Sequence, residues 1–238
     1  MARLDPHSYV DGDQPRPQRF RMKLAVAFDR QRLAGEAALS FAAPVSGMLD
    51  LDTKGLDIHE VRSEAGEAVP FELDPEEPVL GRRLRLPLPA DTREVTIRYE
   101  TAPDALGLQW LAPAQTAGGR HPFLFSQCQS IHARTMAPLP DSPRVRMSYE
   151  AAVTVPEGLA AVMSAGPAGD SPGSAAETRT FRFEMPQPIP SYLLALAVGR
   201  LESRDLSARS RVWAEPETLP AAAHEFAEIE RMISRAEA

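Results

Sequence analysis

The sequence predicts a mainly β, antiparallel domain, a sandwich or an open pair of curved sheets, closed by one C-terminal helix. Three observations carry this. Apolar residues alternate with polar ones at period two in several separate runs, the signature of half-buried antiparallel strands. Gly and Pro fall between those runs, at Pro44, Gly47, Gly55, Pro75, Pro78, Pro103, Gly118 and Gly119 and through 167–173; many short strands between turn signals mark sandwiches. The only stretch with helical periodicity lies after Trp213. No fixed-period repeat is visible, which argues against a propeller or solenoid.

In chain order, residues 1–16 are polar and Pro-rich and read as a loosely held arm. Residues 17–216 form the β domain. In its first strand Phe20, Met22, Leu24, Val26 and Phe28 share one face, with Arg19, Arg21 and Lys23 on the other. Shorter apolar segments come next at 49–51, 58–61 and 84–88, and alternation returns at Val95, Ile97 and Tyr99. It returns again from Val145 to Val155 and at Phe181, Phe183 and Met185, with a last apolar segment at 193–198. Residues 217–238 read as a linking helix. Thr218 can cap it, Pro220 suits its first turn, and Ala222, Phe226, Ile229 and Ile233 make one apolar stripe. Such a stripe either folds back on the sheets or docks on a partner.

Composition bounds the function. A chain of 238 residues can bury a core without covalent staples. Its net charge of −7 argues against nucleic acid or an anionic membrane as partner. The single cysteine, Cys128, cannot form an internal disulfide, and no run is apolar enough for a signal core or a membrane span. The expected location is the cytoplasm.

The segment 121–134, HPFLFSQCQSIHAR, is neither a plain strand nor a plain helix. It gathers two Gln, two His, one Arg and the only Cys beside the apolar 106–111 segment. Polar groups of this capacity are costly to bury unless each finds a partner, so the segment is a candidate ligand-contacting loop. On an extended backbone Gln127 and Gln129 face one side, offering two carboxamides to a peptide terminus. The other reading is that they pair with neighbouring backbone in a turn. Cys128 with His132 could form a thiol–imidazole pair, but a lone buried Cys is ordinarily a small hydrophobe. His224-Glu225 opens like H-E-x-x-H, yet position 228 is Glu228, so no zinc pair forms. We find no catalytic residue and no metal ligand in this chain.

The runs LQWL (108–111), 121–134 and PLPDSP (138–143) resemble the amino-terminal domain of zinc aminopeptidases, in the leukotriene A-4 hydrolase branch. DPHS (5–8), LDLDTKGL (49–56), VTVP (153–156), VMSA (162–165), IPSYLLALAVG (189–199), LESR (201–204) and VWAE (212–215) agree in the same order. The resemblance implies a saddle-shaped antiparallel β domain that precedes a thermolysin-like catalytic domain. It implies that Gln127 and Gln129 reach into the active site to hold the substrate's amino end, with Ser130 adding backbone contacts. Many family members carry Glu where this chain has Gln129; a neutral amide attracts an ammonium less strongly. The branch also raises epoxide hydrolysis, which nothing in these residues supports.

The family's H-E-x-x-H helix and G-x-M-E-N strand do not occur in this sequence. The resemblance therefore implies Zn2+ in the full-length enzyme and none bound by this chain. It implies a peptide N-terminus as substrate and a catalytic domain, in cis or in trans, as partner beyond Ala238. By itself the chain is expected to be inactive. The competing reading is a stand-alone β-sandwich that binds peptides or acts as a scaffold through its sheet edges.

Overall fold

A computed structural model describes residues 3–238. The large sheet contains β1 (Arg19–Ala27), β2 (Arg32–Thr53), β3 (Asp57–Ser63), β4 (Glu72–Leu73) and β5 (Arg82–Glu100). To these it adds β8 (Arg146–Pro156), β10 (Gly166–Pro172) and β11 (Thr178–Pro190). Its order is β10-β11-β8-β1-β2-β5-β3, with β4 on β5. A four-stranded sheet has β6 (Leu108–Leu111), β7 (Phe123–Ser126), β12 (Leu196–Gly199) and β9 (Ala160–Met163) in that order. β13 (Glu202–Asp205) and β14 (Arg211–Ala214) form a separate hairpin. The runs of period-two alternation are the strands β1, β5, β8 and β11. One pairing departs from a purely antiparallel sheet: β1 and β8 run parallel, Arg19 opposite Ser148.

The alternation sorts the two faces of the large sheet. One row of register partners, Phe183–Ala151–Met22–Ala37–Ile97–Val61, crosses six strands and is buried throughout. The next row outward reads Lys23–Glu36–Arg98–Glu60, alternating in sign. Lys23 lies 2.6 Å from Glu36. Opposite charges on adjacent strands stabilise the pairing slightly and keep this face in water. Gly35 is required where β2 crosses β5. A Cβ there would lie 2.3 Å from the Tyr99 ring, which covers the glycine.

The arm is not loosely held. Ser8, Tyr9 and Val10 are buried, and Tyr9 Oη donates to the Gly81 carbonyl at 3.1 Å. The local sequence is polar, but its partners are far along the chain, so composition alone misreads it.

The linking helix is also different. It is two helices, α1 (Leu219–Glu225) and α2 (Ile229–Glu237). Thr218 makes no side-chain cap, because its hydroxyl donates to the Glu215 carbonyl. Bonds from Ala227 N–H to His224 and from Ile229 N–H to Phe226 tighten the join. Glu228 and Glu230 then sit at the start of α2, where carboxylates favour a helix N-terminus. α1 buries Leu219 and Ala223 against Val212 of β14. α2 buries nothing, and Phe226, from the expected stripe, is half exposed. Of the stripe, Ala222, Ile229 and Ile233 are half-buried and Phe226 is the exposed member.

Candidate functional site

The four-stranded sheet is apolar on both faces. Inward, Trp110, Leu124, Val198 and Ala161 form one register row, in which Leu124 and Val198 are fully buried. Outward, the row is Gln109–Phe125–Ala197–Val162, flanked by Leu111, Phe123 and Ala160. Phe125 is 38% exposed, and the Phe123 ring lies over Gly199, where a Cβ would approach it to 2.4 Å. An antiparallel sheet with one face in water normally alternates apolar with polar. Here Gln109 is the only polar residue among those named.

The loop that carries the candidate residues leaves the end of β7 on this same side. Gln127 N–H still bonds the Gly107 carbonyl at 2.9 Å, so the backbone runs extended for one residue past the strand. Gln127, Gln129 and Ser130 are all at the surface, while Cys128 between the two Gln points inward and is buried. Exposed Gln127 and Gln129 on either side of buried Cys128 are the alternation an extended span would give. The turn reading holds in part too, since Gln129 N–H bonds Gln127 Oε1 at 3.2 Å. That leaves the Gln127 amide NH2 and the whole Gln129 carboxamide without a hydrogen-bond partner among the described residues. The Gln129–Ser130 peptide is cis.

Cys128 is not a nucleophile. Burial, reinforced by the Asp141 charge and opposed by a Ser126 hydrogen bond, pushes its thiol up to about 12. A thiolate is then scarce at neutral pH. The native chain should resist an alkylating maleimide while the unfolded chain reacts at once. Rapid native modification, read by mass spectrometry, would mean that Cys128 is open to solvent.

Sequence reasoning missed what lies beneath the loop. Arg134, at the end of the same segment, is completely buried. Its Nε donates to Asp141 Oδ2 at 3.0 Å, Nη1 to the Leu80 carbonyl at 2.9 Å and Nη2 to the His7 carbonyl at 2.7 Å. Asp52, also buried, lies 3.7 Å from Nη1. It accepts from Ser8 Oγ at 2.6 Å, Tyr9 N–H at 2.7 Å and Asp141 N–H at 2.8 Å. Ser191 Oγ donates to Asp141 Oδ1 at 2.6 Å. Burial raises the Asp52 carboxyl, and Arg134 with these donors opposes the rise. The available signal was weak: Arg134, Asp52 and Asp141 each have an apolar residue on one side only, and a buried charge demands a partner.

Among the described residues, no group of three His, Cys, Asp or Glu side chains gathers as a metal site. The residues present do not fit a zinc ion. No helix among them is long and apolar enough to cross a membrane.

Residues 16–193 match the Peptidase M1 N-terminal domain, and the chain belongs to that family. It is 37% identical to leukotriene A-4 hydrolase of Xenopus laevis, over 98% of this chain and 39% of that protein. It is 35% identical to leucine aminopeptidase 2 of Yarrowia lipolytica, over 98% and 36%. Its fold superposes on native yeast leukotriene A4 hydrolase with a TM-score of 0.87 at 31% identity, covering 98% of this chain and 36% of that one. An M1 zinc metallopeptidase from Deinococcus radiodurans, at 20% identity and a TM-score of 0.63, shares the fold, over 87% and 48%. The chain thus spans little more than a third of the relatives named first.

Proposed function

We propose that this domain supplies the substrate-amine contact of a zinc metallo-aminopeptidase that removes N-terminal residues from peptides. The observation that carries this is the pair Gln127 and Gln129, at the surface on either side of buried Cys128 and just past the end of β7, whose sheet has a partly exposed apolar outer face. The catalytic domain packs on that face, which brings the two carboxamides to its active site. There each amide oxygen can accept from a peptide's terminal ammonium, and Ser130 adds backbone contacts. Gln127 already gives its oxygen to Gln129 N–H, so the Gln129 carboxamide is the freer acceptor. Zinc belongs to the catalytic domain, and no chemical step is assigned to residues of this one. The proposed location of the enzyme is the cytoplasm, with which a free, buried thiol is compatible.

The test uses the polypeptide in which this domain is joined to its catalytic domain. Gln129→Ala should lower kcat/KM on aminoacyl amide substrates by about 10–100-fold, the scale of a hydrogen bond to a charged group. Zinc content should not change. Unaltered kinetics would remove Gln129 from the site.

A further inference from the structure

The Gln loop is anchored in the core by buried Cys128, and the turn on its C-terminal side is held firmly. His132 N–H bonds the Cys128 carbonyl at 2.9 Å, and Thr135 N–H bonds the His132 carbonyl at 3.0 Å. Arg134 lies in that short 3-10 turn, Ala133–Thr135. The guanidinium then reaches the arm through the His7 carbonyl. The arm reaches the same cluster twice more, by Ser8 Oγ and Tyr9 N–H to Asp52. Asp5 closes the ring by accepting from Ser142 Oγ at 2.9 Å.

We propose that the N-terminal arm, residues 5–10, is a positioning element that sets the Gln127–Ser130 loop through Arg134. The proposal rests on the reading of that loop as the substrate-amine contact. Without the arm, Arg134 Nη2 loses a carbonyl and both oxygens of Asp52 lose a donor. Nη2 keeps the Asp141 carbonyl at 3.2 Å and Asp52 Oδ2 keeps the Asp141 N–H, but Asp52 Oδ1 is left without a hydrogen bond, which a dry interior disfavours, so the cluster must adjust. Asp52 cannot, because β2 pairs it with Arg83 of β5 and bridges it to Leu139. The Arg134 turn is bonded just past β2 by Lys54 N–H to the Arg134 carbonyl at 3.0 Å and to the loop by His132 N–H to the Cys128 carbonyl at 2.9 Å, so a shift of Arg134 is passed to the loop. The arm thus acts on substrate without touching it.

The test compares Ser8→Ala and the double variant Asp5→Ala/Ser8→Ala with the parent. Both keep the charged pair, so folding should survive. In the 238-residue chain, amide hydrogen exchange at 127–133 should speed up by about tenfold or more while Val95, Ile97 and Tyr99 of β5 stay protected. An unchanged loop, or equal acceleration in β5, overturns the proposal. In the polypeptide joined to its catalytic domain, KM for an aminoacyl amide should rise by about fivefold to tenfold with kcat within about twofold. Ser8→Thr, which keeps the hydroxyl, should restore it. A loss in kcat alone, or no rescue by Thr, also overturns it. If the parent polypeptide shows no peptidase turnover, the reading of the loop fails instead, and the exchange data alone decide whether the arm holds it.

Discussion

Arg134→Met should destabilise this domain by about 3–5 kcal/mol, the usual cost of removing one partner from a buried ion pair. Methionine keeps most of the volume, so little of the loss comes from a cavity. It comes from Asp52 and Asp141, both buried, which lose the cation they face. The Leu80 and His7 carbonyls lose their donor as well. For a domain of this size the midpoint should fall by about 6–20 °C. The pH dependence identifies the cause. The Asp52 carboxyl is already raised when folded, with burial outweighing Arg134, Ser8, Tyr9 and Asp141. A carboxyl raised on folding contributes stability that is complete below its unfolded pKa and lost as pH rises through its folded one. Removing the guanidinium raises it further. The deficit of the variant should therefore shrink as pH falls from neutrality into the carboxylate range, to about pH 5. Urea unfolding at both ends of that range measures it. A loss below about 1 kcal/mol, or one constant with pH, would refute the account.

Gly81→Ala should cost about 2–5 kcal/mol, combining a left-handed backbone with overpacking. Gly81 has φ +77, and a Cβ there would sit 2.2 Å from the Thr53 carbonyl oxygen and 2.7 Å from Lys54 Cβ. The first obstacle is backbone, so no rotamer change relieves it. Gly81 and Glu77 also exchange both backbone hydrogen bonds, at 2.8 and 2.9 Å, which fixes the turn. The Leu80 carbonyl next to it accepts from Arg134, and the Gly81 carbonyl accepts from Tyr9. Displacing the turn should loosen the Arg134 cluster from its far side. The double variant with Arg134→Met should then lose less than the sum of the two single losses. Strict additivity in urea unfolding would mean that the two sites are independent.

How much of this was legible in the sequence depends on the range of the interaction. The strands β1, β5, β8 and β11 were readable because period-two alternation is local and reports burial directly. The parallel seam of β1 and β8 was not, since nothing in either strand encodes which edge it meets or in which direction. The arm was misread for the same reason. Ser8 and Tyr9 look like solvent residues until Asp52 and Arg134 stand beside them. The helix was recognised by its stripe, but its break depends on where Glu228 and Glu230 sit, a finer signal than periodicity. For the Gln pair, the spacing with Cys128 between them fits two exposed residues around a buried one. It could not give the hydrogen bond that leaves Gln129 freer than Gln127.

The β1–β8 seam has a consequence for synthesis. β1 emerges early and can pair at once with β2, and β2 with β5, to build an antiparallel meander. Its other edge must wait for residues 148–154. At ribosomal rates of about 5–20 residues per second that delay is on the order of ten seconds. Through it a nascent sheet carries an open edge, the kind of surface that recruits neighbouring chains. The strand left open is the one whose outer face bears Arg19, Arg21 and Lys23. Arg19, whose partner Glu150 lies on β8, stays free through that delay and, with Arg21 and Lys23 beside it, can serve as a guard against aggregation.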